Sequence, residues 1–412
     1  MRQEMTLDEK ESESLLAYKD QLNKEWLSIL DYWAFHVVDT AHGGFYGSVN
    51  NENVPDTNAP KGIVMNSRIL WAFSSSYNRL QNKTYLEIAN RAFNYIINYF
   101  IDDAYGAVYW SVDKDGVMVD GRKKVYGLAF CIYGMSEYYK ATKNEDALRF
   151  CKKIFEYIEL YSFDKEHGGY IGAFSRDWKM EDDLRLSEKD YNAKKTMNTQ
   201  LHLAEAYSNL YSVWPDEEVK QKIEGLLENF DKHLINKRSF HLNLFMDEQW
   251  NPLSSLISFG HDIEASWLLL QCATTVQSHH YMELFKNYAV EIGYAAAGGL
   301  DKDGGLWFES EPLNDLPAKE KHSWAQAEAM IGFLNIYQLT GSKQYLQYSL
   351  NSWQFVKDHI IDKEKGGWFW GVNADNTILT NKDKAGFWKC PYHTTRACME
   401  IIDRINSILA TQ

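Results

Sequence analysis

The phrase HGGFYG at His42–Gly47 decides the architecture, because it comes back along the chain. YGAVYW stands at Tyr105–Trp110, HGGYIG at His167–Gly172, GGLWFE at Gly304–Glu309 and GGWFWG at Gly366–Gly371. Successive starts are separated by 63, 62, 137 and 62 residues. The long interval holds about two units, and FMDEQW at Phe245–Trp250 reads as a degenerate copy inside it. Glycine supplies turn conformations and alternating aromatic residues suit short strands, so each phrase predicts a β-hairpin.

Between the phrases the pattern is helical. NSRILWAFSSSYNRL from Asn66 and YLEIANRAFNYIINYF from Tyr85 place apolar residues three and four apart, with a short polar turn between them. The couple recurs four more times, the first helices including VYGLAFCIYGMSEYY, MNTQLHLAEAYSNLY, HDIEASWLLLQCATTV and WAQAEAMIGFLNIYQL. A sixth couple joins the C-terminal PYHTTRACMEIIDRINSIL to the N-terminal LLAYKDQLNKEWLSILDYWAFHV. Twelve helices in six pairs predict an all-α fold, an (α/α)6 barrel with short hairpins in its connections. At about 69 residues per pair, one catalytic domain fills 1–412. The repeat by itself also permits an open helical solenoid.

Composition narrows the function. Lys and Arg total 43 against 57 Asp and Glu, a net charge of −14, which argues against nucleic acid or an anionic membrane as partner. Rings make up 15% of the residues and Pro only 7 positions, which suits a helical globular protein able to line a cavity with aromatic side chains. No run of about 18 apolar residues exists and the N-terminus lacks an export pattern, so a soluble cytoplasmic protein is expected. Cys131, Cys151, Cys272, Cys390 and Cys398 are odd in number and show no C-x-x-C spacing, which fits reduced thiols. Monomer and homodimer are both left open.

Polar residues recur at one phase, the start of each pair's first helix. They are Asn66 and Arg68, Tyr126, Asn198 and His202, His261 and Glu264, Trp324 and Glu328, and Tyr392 and His393. In a closed ring they converge on one mouth. Each has a plainer reading: Asn66 and Asn198 as helix caps, Glu264 and Glu328 as carboxylates favoured by a helix dipole, either histidine as a structural group. His36, His233, His279, His280, His322 and His359 lack the phase and read as surface or packing residues, His42 and His167 as turn residues, and His241 has no assignment. Two histidines on one pocket suit proton transfer near neutral pH. No H-E-x-x-H, G-x-G-x-x-G, P-loop or G-x-S-x-G occurs, so neither a metal nor a cofactor is expected.

The segments MNTQLHLAEAYSNLY, SFGHDIEASWLLL, WAQAEAMIGFLNIYQLTG and FWKCPYHTTRAC resemble the cellobiose 2-epimerases of the N-acylglucosamine 2-epimerase superfamily, as do ILWAFS after Arg68 and KKVYGLAF around Tyr126. The resemblance spans nearly the whole chain and implies the same (α/α)6 fold. It implies cofactor-independent inversion at C2 of a reducing-end glucose or mannose unit, through ring opening and an enediolate, on a cellobiose-type disaccharide. It makes His261 and His393 the acid/base pair, sets Arg68 near the reacting oxygens, and gives His202 ring opening or hydroxyl binding. Glu264 would tune its neighbouring histidine, Tyr126, Asn198, Trp324 and Trp388 would bind the sugar, and Glu328 would be a pocket carboxylate.

Two positions depart from the resemblance. Gln200 replaces a histidine of N-T-H-L-H, and Ser323 replaces the first ring of a Trp pair before Q-A-E. A lost ring makes a mannose 2-epimerase on the free monosaccharide the runner-up. Aldose–ketose isomerisation shares the first proton transfer, and an inverting glycoside hydrolase using Glu264 and Glu328 is the reading from another reaction class. A non-catalytic sugar-binding module is the third, though a binder would not need the histidine pair.

Overall fold

The computed structural model describes residues 7–311 and 320–410. Its helices alternate between two layers. The inner ring is α2 (Ile63–Leu80), α4 (Val125–Thr142), α6 (Met197–Tyr211), α8 (Phe259–Thr275), α10 (Ser323–Thr340) and α12 (Tyr392–Leu409). The outer ring is α1 (Glu9–His36), α3 (Lys83–Tyr95), α5 (Glu145–Tyr161), α7 (Glu217–Asn229), α9 (His279–Ala297) and α11 (Lys343–Phe355). Each inner helix packs on the next, and α12 packs on both α2 and α1, so the ring closes and the open solenoid is excluded.

Sequence explains the layering. From Val125 to Tyr138 every residue of α4 is buried, as expected of a helix apolar all round. On α3 burial falls on Tyr85, Ala89, Ala92, Phe93 and Tyr95, one stripe of an amphipathic helix. Four of the six outer helices begin at side-chain caps: Asp8, with Glu11 completing a capping box, then Asn82, Asn144 and Asp216.

Strands join the units. They are β1 (Lys61–Gly62), β2 (Ser111–Val112), β3 (Met118–Asp120), β4 (Lys123–Lys124), β5 (Ala173–Phe174), β6 (Lys195–Thr196), β7 (Phe245–Met246), β8 (Ile257–Ser258), β9 (Glu309–Ser310), β10 (Glu320–His322) and β11 (Gly371–Asn373). The strand entering an inner helix pairs antiparallel with the strand after the following outer helix: β1 with β2, β4 with β5, β6 with β7, β8 with β9 and β10 with β11. A sixth contact, between Val49 and Ala385, joins the chain's two ends.

Every entering strand but one carries a buried lysine. Lys61 reaches Asp39 at 2.8 Å, Lys123 reaches Asp102 at 2.8 Å, Lys195 reaches Asp164 at 2.8 Å and Lys321 reaches Asp303 at 2.7 Å, while Lys384 pairs with Asp362. The aspartates open the hairpin phrases, where most also accept backbone N–H groups of the turn, as Asp39 does from Ala41 and His42. In the fourth unit both charges are gone together: Asn236 accepts the turn N–H groups of Arg238 and Ser239, and Ile257 stands where the lysine would be.

That unit corrects one sequence expectation. The fourth hairpin bridges Ile235 to Leu242, as Val38 bridges Phe45, whereas FMDEQW contains β7 and the turn after it. The true copy lacks glycine, and Phe240 takes the positive φ of 58° instead.

Candidate active site

The strands bring all six inner helices in with their N-termini at one end, and a cavity of about 530 Å³ opens there. The first two turns supply Arg68, Tyr126, Asn198, His202, His261, Glu264, Trp324 and His393, and Trp388 joins them from the segment before α12. Six converging N-termini bias such a mouth toward negative charge. The repeat sets the register: seven residues after Lys61, Lys123, Lys195, Ile257 and Lys321 stand Arg68, Phe130, His202, Glu264 and Glu328.

The plainer readings of several residues fail on geometry. Gly62 and Thr196 occupy the caps of α2 and α6, so neither asparagine is a cap. Asn66 instead donates to the Gly62 carbonyl, away from the cavity, whereas the Asn198 Oδ1 is buried without a partner beside it. Glu264 and Glu328 are each the sixth residue of their helix, past the turn where the dipole acts.

The two predicted bases are neutral imidazoles in contact with one ring. Trp324 lies 4.8 Å from the His261 ring and 5.3 Å from the His393 ring, centre to centre. Burial pushes His261 down to about 3, with His202 adding to the effect, and burial together with the Arg68 charge holds His393 well below the ordinary imidazole value. Nδ1 of His261 shares a 2.8 Å hydrogen bond with the Ser258 hydroxyl. Nδ1–H of His393 donates to Glu328 at 2.7 Å, which assigns the free lone pair to Nε2.

Arg68 carries the permanent charge. Its Nη2 donates to the Tyr126 hydroxyl at 2.6 Å, and the guanidinium lies 4.0 Å over the Phe130 ring. Burial works against that charge, but Tyr126, Cys390 and Tyr392 outweigh it and raise Arg68 further. No carboxylate pairs with this guanidinium among the described residues.

Glu328 differs from the other predicted residues in lying behind the wall. Oε1 accepts from His393 and, at 2.6 Å, from Arg396, while Oε2 accepts from the Trp267 indole at 3.0 Å. The same Arg396 nitrogen reaches Glu264 at 2.5 Å, and its other arm reaches Glu205 and the buried Tyr392 hydroxyl. Burial would raise Glu205, yet Arg396 and His202 hold it at about 2, and it accepts from His202 at 2.8 Å. Glu264 is pushed up to about 7 by burial and the Glu328 charge, and its Oε2 has no partner. It lies nearer to His393, at 3.9 Å, than its predicted pairing with His261 implied.

Glu264, Glu328 and His393 each bring one ligand-type atom within 4.8 Å of the others. The Oε1 atoms of the two carboxylates already share one nitrogen of the Arg396 guanidinium. The same bridge removes the carboxylate pair of an inverting hydrolase, which needs about 6.5–9.5 Å of open separation.

Both departures from the family pattern now have addresses. Gln200 donates to the Tyr170 carbonyl at 2.9 Å and stays off the cavity, whereas Ser323 lines it. His322, set aside from the sequence, lines it too, stacked 4.1 Å from Phe308 and bonded at 2.5 Å to Glu320. Trp370, Lys382, Lys389 and the loop residues Leu186–Asp190 are also part of the wall. Glu205 and Arg396 were also missed, though each is an ionisable residue three positions past a predicted histidine on a buried helix.

The sequence profile described as N-acylglucosamine 2-epimerase (GlcNAc 2-epimerase) matches residues 43–397. A cellobiose 2-epimerase of Bacteroides fragilis is 40% identical over 93% of this chain and 98% of its own length. The solved cellobiose 2-epimerase of Spirochaeta thermophila superposes with a TM-score of 0.90 at 37% identity, covering 96% of this chain and 98% of that one. That of Bacillus thermoamylovorans gives 0.89 at 37% identity, over 94% and 99%.

Proposed function

The chain belongs to the N-acylglucosamine 2-epimerase family and is a carbohydrate epimerase, and from that premise we propose that it inverts C2 of the reducing-end unit of a cellobiose-type disaccharide. The observation that carries the proposal is geometric: the imidazoles of His261 and His393 flank Trp324 on one cavity that also holds the Arg68 guanidinium, which no described carboxylate pairs. A cavity of about 530 Å³ suits a ligand of two sugar rings.

An aldose must open before its C2 proton becomes acidic. His202 and the Oε2 of Glu264, which holds its proton to about pH 7, are the groups that can move that first proton between hydroxyl and ring oxygen. One imidazole then removes the C2 proton and leaves an enediolate. Arg68, aided by the six helix N-termini, stabilises its oxygens with preorganised charge. Inversion needs return of the proton to the opposite face, which the second imidazole provides. Glu328 keeps His393 in the tautomer whose Nε2 is free, and Tyr126, Asn198, Trp324 and Trp388 hold the sugar by hydroxyl and ring contacts.

The test is NMR of C2 in deuterated water with cellobiose, lactose, glucose and mannose supplied separately. The expected result is C2 epimers of both disaccharides carrying deuterium at C2, with exchange abolished in His261→Ala and His393→Ala. Turnover of monosaccharides alone, ketose as the sole product, or free monosaccharide released from cellobiose would each refute the assignment.

A further inference from the structure

Buried lysines in this protein end on partners that answer their charge. Lys61, Lys123, Lys195, Lys321 and Lys384 meet aspartates, and Lys124 donates to the Arg185 and Leu186 carbonyls at 2.7 and 3.4 Å. Lys389 is different. It lines the cavity, and its Nζ donates at 3.0 Å to a single neutral acceptor, the Ser323 hydroxyl. An ammonium has three donors, so two are left without a partner among the described residues.

Among the described residues no carboxylate pairs with Lys389, although Glu188, Asp190, Glu309 and Glu320 line the same cavity, as does Lys382. On the segment that carries Lys389, Lys384 is committed to Asp362 and Asp383 to Ser48, and the Cys390 thiol contacts Arg68 at 3.7 Å. On β10, Glu320 is taken by His322, and on α10, Glu328 is taken by Arg396 and His393. Lys389 is half-buried at the cavity wall, so a ligand that displaces water there must itself supply the acceptors that the ammonium then loses.

Ser323 immediately precedes Trp324, the ring that both imidazoles touch, and Cys390 ties the next residue to Arg68. We propose that Lys389 is a second cationic contact to the sugar, donating to a substrate oxygen and sharing with Arg68 the negative charge of the enediolate. This rests on the epimerase assignment above. Arg68 stays charged at all working pH values, whereas burial lowers Lys389 to about 8, with Lys384 adding to the effect. Ammonium is the active form, so its contribution is present below that pH and lost as the pH rises through it.

The experiment is the pH dependence of kcat/KM for C2 deuterium exchange on cellobiose, in the wild type, Lys389→Arg and Lys389→Met, with folding checked by circular dichroism. The wild type is expected to show a limb near pH 8, a second fall beyond the one near 7 that loss of the Glu264 proton sets. Lys389→Arg is expected to keep activity within about tenfold and lose that limb, because the guanidinium does not titrate there. Lys389→Met is expected to lose about a hundredfold, the scale of one donor to a developing oxyanion, and to show no limb. A wild-type profile without the limb, an unchanged limb in Lys389→Arg, or Lys389→Met within threefold of wild type would overturn the inference. The wild-type and arginine profiles decide it even if the methionine variant fails to fold. Absence of any C2 exchange by the wild type would instead remove the epimerase assignment.

Discussion

The fourth unit predicts what its five neighbours should tolerate. Asp39 and Lys61, each about 1% exposed, lie 2.8 Å apart, and at that distance opposite charges attract by about 6 kcal/mol at an effective dielectric constant of about 20. Desolvating two ions costs several kcal/mol apiece, so the pair is close to neutral in net stability. The balance is visible in the groups themselves: burial outweighs Asp39 and lowers the Lys61 ammonium, whereas Lys61 and the turn N–H groups outweigh burial and lower Asp39. Lys61→Ile alone strands a buried carboxylate and should cost about 3–5 kcal/mol. Asp39→Asn with Lys61→Ile copies Asn236 and Ile257, keeps acceptors for the Ala41 and His42 N–H groups, and should lie within about 2 kcal/mol of wild type. Urea unfolding of the wild type, both single variants and the double variant gives the coupling energy; with each single variant at about 3–5 kcal/mol and the double within about 2, it is expected at about 4 kcal/mol or more. A double variant as unstable as the sum of the singles would refute the view that the two charges are retained or lost as a unit.

Three further outcomes follow from the same contacts. Glu328→Gln can offer its amide to His393 Nδ1 and select the wrong tautomer, so kcat should fall about 10²–10⁴-fold with little change in KM, and a loss below threefold would exclude the orienting role. Lys124→Met frees the loop that carries Leu186–Asp190, which occupies a spacing of 31 residues from Asp164 to Lys195 where the other units use 18 to 22. KM should rise severalfold with kcat nearly kept, and trypsin should cut sooner at Arg185 and Lys189; equal protection in both proteins would show that the loop needs no anchor. Asp39, Asp164, Asp303 and Asp362 are lowered below the ordinary carboxylate value and Glu205 is lowered to about 2, so their stabilisation is present above about pH 4.5 and lost as the pH falls toward 2. The urea midpoint should drop steeply across that window, and a flat midpoint down to pH 2.5 would contradict it.

What the sequence makes legible here is whatever the period repeats. Glycine pairs mark four hairpins, and Gly106 with Ala107 a fifth; two successive positive φ angles, as at Gly43 and Gly44, exclude most side chains, and from those marks the helix starts and their polar residues fall into phase. The fourth hairpin escapes because Phe240 accepts the strain a glycine would relieve, so the eye settles on the next turn instead. His322 escapes for a different reason: it closes β10 just before its helix begins, and a search confined to helix phases passes over the strand that feeds the same cavity. Arg396 and Glu205 were visible as charged residues on buried helices, but what makes them matter is a contact across 191 positions, and periodicity carries no information about which charges meet at the axis of a ring. Lys389 is the sharpest instance. In the string it is one lysine within the FWKCPYH motif, and only the aspartates and carbonyls that answer the buried lysines reveal that this half-buried one on the cavity lacks a charged partner.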